Sequence, residues 1–157
     1  MSATTSAPSR RAVQPATLAA MRERAIDAAR HAYAPYSRFP VGAAVLSDDG
    51  RIHGGANVEN ASFGLSSCAE RNAIFRAVAD GARRVDALLV YAPTGSATPP
   101  CGACRQVLAE FGADALVVCC GDDPSNERRF RLSELLPDSF GAAHLSGSAT
   151  PYDKETS

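Results

Sequence analysis

Val85-Asp86-Ala87-Leu88-Leu89-Val90-Tyr91 leads, past a proline-rich break, to Cys101-Gly102-Ala103-Cys104-Arg105-Gln106-Val107-Leu108-Ala109-Glu110-Phe111, and then to Ala115-Leu116-Val117-Val118-Cys119-Cys120. The first and third stretches are short, nearly continuous apolar runs, the pattern of strands buried on both faces. Between them Val107, Leu108 and Phe111 recur at helical spacing, which predicts a helix over Cys101–Phe111. Pro93 to Pro100 cannot be regular structure, because three of these eight residues are prolines that fix φ and donate no backbone hydrogen bond. Strand, helix and strand in succession place the chain in the α/β class, with one sheet covered on both faces.

The segments on either side extend this pattern. Upstream, Val41–Leu46 and Arg51–Val58 flank Ser47-Asp48-Asp49-Gly50, and an Asp-Gly turn between two such runs predicts a hairpin. Thr17 is the expected cap of a first helix, whose Leu18, Met21, Ala25, Ala28 and Ala29 share a face and which stops by Pro35. Phe63-Gly64 and Ser66-Ser67 read as a loop capping a second helix, about Cys68 to Asp80, closed by Gly81. Downstream, Gly121-Asp122-Asp123-Pro124 turns the chain and Arg128–Leu132 forms a final short strand. The expected architecture is a single mixed β-sheet sandwiched between helices. Residues 1–15, rich in Ser, Ala, Thr and Pro, read as a disordered leader, 16–145 as the working domain and 146–157 as a disordered tail.

Bulk properties narrow the function. A chain of 157 residues is one domain and buries a core without staples. It has no apolar run near the 18 residues that would span a bilayer, and Arg10 and Arg11 precede no signal-peptide core. The expected location is the cytoplasm, with no membrane partner. Sixteen Lys and Arg are nearly cancelled by seventeen Asp and Glu, and the only lysine is Lys154, so a nucleic-acid partner is not expected. The five cysteines are an odd number, which argues against a disulfide framework and for metal or redox chemistry.

The chemistry lies in Cys68-Ala69-Glu70 and Pro100-Cys101-Gly102-Ala103-Cys104. Each segment falls at a predicted helix start, where unpaired backbone N–H groups and the positive end of the helix dipole stabilise thiolates. Cys101 and Cys104, three apart, can face one point, and Cys68 can close on it from the other helix. Three thiolates and one open position suit a catalytic zinc, since a structural zinc normally has a fourth protein ligand. Glu70, two residues from a ligand, stays near the metal without binding it and can move protons. This is the known residue pattern of zinc deaminases, in its all-cysteine variant. Cys-x-x-Cys alone would equally mark a redox pair or a zinc-stabilised module; the upstream Cys-Ala-Glu separates these readings. Cys119 and Cys120 read as core residues, and His31, His53 and His144 follow no ligand spacing.

The chain also resembles the cytidine deaminase family, in its short-chain, three-cysteine form. The stretches that carry the resemblance are Tyr36-Ser37-Arg38-Phe39-Pro40-Val41-Gly42-Ala43-Ala44, Gly55-Ala56-Asn57-Val58-Glu59-Asn60-Ala61, Cys68-Ala69-Glu70-Arg71-Asn72-Ala73, Cys101-Gly102-Ala103-Cys104-Arg105-Gln106 and Leu135-Leu136-Pro137-Asp138-Ser139-Phe140, spanning about Leu18 to Leu145. It implies a three-layer fold, one Zn²⁺ per subunit and a homotetramer acting on free nucleosides in pyrimidine salvage. It further implies that Phe39 packs on the pyrimidine, that Asn57 and Glu59 bind the ribose 3′-hydroxyl and base edge, and that Ala69 offers backbone groups to the base. Phe140 would reach a neighbouring subunit's site. Phe39 and Phe140 as core residues, and Asn57 as a turn residue beside Gly54-Gly55, are the plainer readings. Two positions depart from the family pattern: Phe63 stands where a tyrosine is usual, and Pro99 where a serine is frequent.

The expected reaction hydrolyses cytidine or deoxycytidine to uridine or deoxyuridine and ammonia. Glu70 takes a proton from the water that attacks C4, protonates N3 and assists departure of the amine. Zn²⁺ with three thiolates carries a net charge of −1, a poor acidifier of water, so a nearby cation is expected. Arg71 is the candidate, with Arg105 the alternative. Another amino-pyrimidine, such as a nucleoside antibiotic or a base in a nucleic acid, is the competing substrate class.

Overall fold

A computed structural model describes residues 12–145. The expected leader and tail lie outside these residues, except for the stretch 12–15. Helix α1 spans Pro15–Ala29 and begins earlier than expected. Pro15 occupies the first helical position, where its fixed φ suits the turn, and Gln14 is the cap residue, whose side chain makes no capping bond. Thr17 therefore lies inside the first turn rather than capping it.

Strands β1 (Gly42–Ser47) and β2 (Ile52–Ala56) form the expected hairpin, with Leu46 opposite Ile52 and Gly42 opposite Ala56. Gly50 closes the turn at φ 82°, a conformation that favours glycine. Helix α2 (Ala69–Ala79) has Cys68 itself as its cap residue, so neither Ser66 nor Ser67 caps it. Strand β3 (Val85–Tyr91) has the expected bounds, followed by helix α3 (Gly102–Gly112) and strand β4 (Leu116–Cys120). Strand β5 (Arg128–Arg131) ends one residue early, because Leu132 starts a four-residue helix, α4 (Leu132–Leu135). Four residues carry no readable period, and the sequence pattern does not show α4.

The sheet runs β2-β1-β3-β4-β5, with β3 and β4 parallel and the other neighbours antiparallel. It is mixed, as expected, and alternation along its strands divides the core in two. Ala44, Ala87, Leu89, Val118 and Cys120 pack with Met21 and Ala25 of α1. Ala43, Val45, Leu88, Val90, Val117 and Cys119 pack with Ala73 and Ile74 of α2 and Leu108 of α3. Cys119 and Cys120 are thus fully buried core residues on opposite faces.

Two glycines set how closely helices lie on the hairpin. A Cβ on Gly42 would collide with the Ala25 carbonyl of α1, and one on Gly55 would collide with the Ala73 nitrogen and lie 2.6 Å from the Ala69 oxygen. Both obstacles are backbone and cannot rotate away. Gly55→Ala is expected to push the first turn of α2 off the sheet and destabilise the fold by about 1–3 kcal/mol or more, the scale of core overpacking. Thermal melting measures the loss, and the zinc content of the surviving protein reports the displacement of Cys68.

Candidate active site

Cys68 caps α2 and Cys101 caps α3, while Cys104 lies in the first turn of α3. The parallel strands β3 and β4, joined by α3, and the close seat of α2 on β2 bring these two helix starts together. The three Sγ atoms lie within 4.8 Å of one another, with 3.9 Å between Cys68 and Cys101 and 3.4 Å between Cys101 and Cys104. Sulfurs placed tetrahedrally at about 2.3 Å from a zinc would be about 3.8 Å apart. The donor set therefore fits zinc in both chemistry and spacing. Cys104 is buried, Cys68 half-buried and Cys101 exposed, so the cluster opens to one side.

The thiols titrate unequally. The Cys104 thiol, with Arg71 and Cys101, lowers Cys68 to about 5 against the opposing effect of burial. The same contact with Cys68, together with burial, pushes Cys104 upward. Arg71 donates from Nη2 to Cys68 Sγ at 3.4 Å, and its Nε is buried without an acceptor among the described residues. Arg105 is used otherwise: Nε donates to Pro100 O and Nη1 to Leu135 O, both at 2.8 Å, tying the start of α3 to the end of α4. The cation beside the sulfurs is therefore Arg71.

Glu70 is 5% exposed, and burial pushes its carboxyl up to about 7, with the Cys68 charge adding to the rise and Arg71 opposing it. A carboxyl near 7 exchanges protons readily at neutral pH. Ala69, also fully buried, forms the first helical residue between Cys68 and Glu70.

Asn57 and Glu59 lie just beyond β2 and brace the loop that carries Phe39. Asn57 Oδ1 accepts from Val41 N at 2.8 Å and its Nδ2 donates to Phe39 O at 2.9 Å. Glu59 Oε2 accepts from Tyr36 N at 2.9 Å and Ser37 N at 3.2 Å. Arg38 within this loop has φ 55°, a left-handed conformation for a non-glycine residue. Phe39 is partly exposed rather than core. Phe63, at the position where the family pattern has tyrosine, is 73% exposed and meets Tyr36 edge-to-face at 5.8 Å. Phe140 is 58% exposed and so is not a core residue either.

Sequence reasoning missed three contacts around this framework. Asn72 holds the start of α2 to β2, donating from Nδ2 to Ala56 O at 2.8 Å and accepting from Ser67 Oγ at 2.8 Å. Gln106 Nε2 donates to Phe140 O at 2.9 Å. His53, given no role above, is buried between Asp80 Oδ2 at 3.0 Å and Ser47 Oγ at 3.2 Å, linking the hairpin turn to the end of α2. Its signal was available: position 53 pairs with Val45, a core position, so a polar residue there faces inward.

A groove of about 700 Å³ lies over the β2 edge between α1 and α2 and is lined by residues such as Arg24, His31, Gly54, Val58, Leu65 and Arg76. None of its lining residues is a cysteine. The sulfur cluster instead meets solvent at the exposed Cys101.

Known proteins resemble this chain in sequence and fold. The profile of the cytidine and deoxycytidylate deaminase zinc-binding region matches residues 16–120, which include all three clustered cysteines and Glu70. A cytidine deaminase of Halalkalibacterium halodurans is 49% identical over 123 residues, covering 78% of this chain and 93% of the relative. One from Mycobacterium tuberculosis is 49% identical over 125 residues, covering 80% and 90%. The crystal structure of cytidine deaminase from Burkholderia pseudomallei superposes with a TM-score of 0.74 at 46% identity, covering 78% of this chain and 98% of that one. With its zinc-fitting cysteine cluster inside the matched region, the chain belongs to the cytidine and deoxycytidylate deaminase family.

Proposed function

We propose that this chain hydrolyses cytidine and deoxycytidine to uridine and deoxyuridine plus ammonia, serving pyrimidine salvage in the cytoplasm as a homotetramer with one zinc per subunit. The observation that carries this reading is the buried Glu70, poised near neutral pH, beside three converging thiols. Zinc, when bound, supplies a Lewis acid that makes water nucleophilic at neutral pH. Cys68, Cys101 and Cys104 hold it. Glu70 takes a proton from the water attacking C4 and passes it to N3. It then carries the remaining proton of that water from the C4 hydroxyl to the amine as the C4–N4 bond breaks, leaving the C4 carbonyl and ammonia. Phe39 covers the pyrimidine, Ala69 offers backbone groups to the base, and Asn57 and Glu59 bind the ribose 3′-hydroxyl and the base edge.

The tetramer is supported by the exposed apolar side chains Tyr36, Phe63, Leu65, Phe75 and Phe140, which subunit contacts would cover. A site open on one side is then closed by Phe140 from a neighbouring subunit. Ultraviolet-monitored turnover of cytidine, deoxycytidine, deoxycytidine monophosphate and blasticidin S on one preparation tests the substrate assignment. The two nucleosides are expected to lead; preference for the nucleotide or the antibiotic would overturn it.

Arg71 offsets the negative charge of the thiolates. Arg71→Gln is expected to cost about 10–100-fold in zinc affinity or activity, the range for residues that orient and tune metal ligands. The sign of the pH effect follows from the charge. Arg71 lowers the Glu70 pKa, so its loss raises that pKa and the base form fills at higher pH. The acid limb of kcat/KM then moves upward in pH. An unmoved profile with zinc still bound would remove Arg71 from this role.

A further inference from the structure

Phe140 is exposed, yet it is held from two sides. From one side, Gln106 of α3 donates to the Phe140 carbonyl at 2.9 Å. From the other, His144 stacks on its ring, with centroids 5.3 Å apart and planes 22° apart. The His144 ring is itself anchored: Gly141 N donates to His144 Nδ1 at 3.1 Å, and His144 N donates to Gly141 O at 2.9 Å. The 3₁₀ turn Ala142–Leu145 thus folds back on Phe140. Nothing about core packing requires this bracing, because Gln106, Phe140 and His144 all lie at the surface. An aromatic side chain that inserts into a second molecule does benefit, since ordering it beforehand lowers the entropic cost of insertion.

We propose that Gln106 and His144 are positioning residues that hold Phe140 in the outward pose in which it completes the nucleoside site of a neighbouring copy. This rests on the shared-site reading of Phe140 given above. Gln106 lies two residues beyond Cys104, so one helix carries two sulfur donors of its own site and steadies the aromatic offered to another. The defect of a Gln106 variant must therefore appear in the neighbour's site, not in its own.

The test measures KM, kcat and zinc content of Gln106→Ala, His144→Ala, His144→Phe and Phe140→Ala. Gln106→Ala and His144→Ala are expected to raise KM about 2- to 10-fold, the scale of ordering one side chain at an interface. Zinc content and kcat stay near those of the parent. His144→Phe, which keeps a stacked ring, retains the parent KM. In a Phe140→Ala background Gln106→Ala adds nothing; an equal added effect there overturns the proposal.

The decisive arm mixes Gln106→Ala chains with Glu70→Gln chains after reversible dissociation. Only Gln106→Ala chains then carry a working Glu70, and those sites that receive Phe140 from a Glu70→Gln chain regain the parent KM. A KM that stays high despite proven mixing places the effect of Gln106 in its own site and overturns the proposal, leaving the shared site intact. A parent-like KM for Phe140→Ala overturns the shared-site reading and this inference with it. An unchanged KM for Gln106→Ala alongside a defective Phe140→Ala overturns this inference alone.

Discussion

Glu70→Gln is expected to retain zinc and fold while losing about 10²–10⁴-fold in turnover, the usual scale for a lost general acid–base group. The amide keeps the size of a side chain that is buried but cannot shuttle a proton. Its effect on stability has a definite sign. An unfolded glutamate ionises near 4.3, whereas the folded Glu70 does so near 7. Above the lower value the unfolded state holds the ionised form more easily, so the ionised carboxyl weakens the fold progressively up to about pH 7. The neutral amide removes that penalty, and at pH 8 the variant is expected to melt no lower than the parent. Turnover within a few-fold of the parent, with zinc bound, would remove Glu70 from the proton path.

Cys104→Ala is expected to abolish zinc binding, taking metal content from about one per chain to near none, with activity lost in step. Cys104 is the innermost of the three thiols and contacts both other sulfur positions and Glu70. Cys119→Ala and Cys120→Ala serve as controls. Both residues lie in the core on opposite faces of β4, so these variants keep the metal whatever stability they lose. Full zinc and activity in Cys104→Ala would overturn the ligand assignment.

Much of the fold is legible in local pattern. Val85–Tyr91 reads as a strand because β3 lies at the centre of the sheet with both faces covered, and the Asp-Gly turn marks the hairpin because its backbone demands glycine. The cysteine–glutamate set is legible because metal chemistry restricts residue type and spacing together. What escapes is carried by side-chain bonds between distant segments. His53 meets Asp80 across 27 positions, and Gln106 meets Phe140 across 34. No period or motif in either segment announces its partner. Helix α4 escapes for the opposite reason, being too short to show a period. Helix α1 starts ahead of Thr17 because Pro15, two residues before that threonine, already opens the helix.

The double use of Asn57 and Glu59 limits how this enzyme can change its diet. On the proposed roles, the pair that recognises the ribose 3′-hydroxyl and the base edge also supplies the struts of the loop presenting Phe39 to the base. Asn57 uses both ends of its amide on that loop, so even a substitution chosen only to admit a different sugar moves the base-facing ring as well. Selectivity for sugar and for base is therefore mechanically linked. A lineage or an engineer seeking a new nucleoside would need paired changes at 57 or 59 and within 36–41, because a single change at either strut releases the loop that carries Phe39.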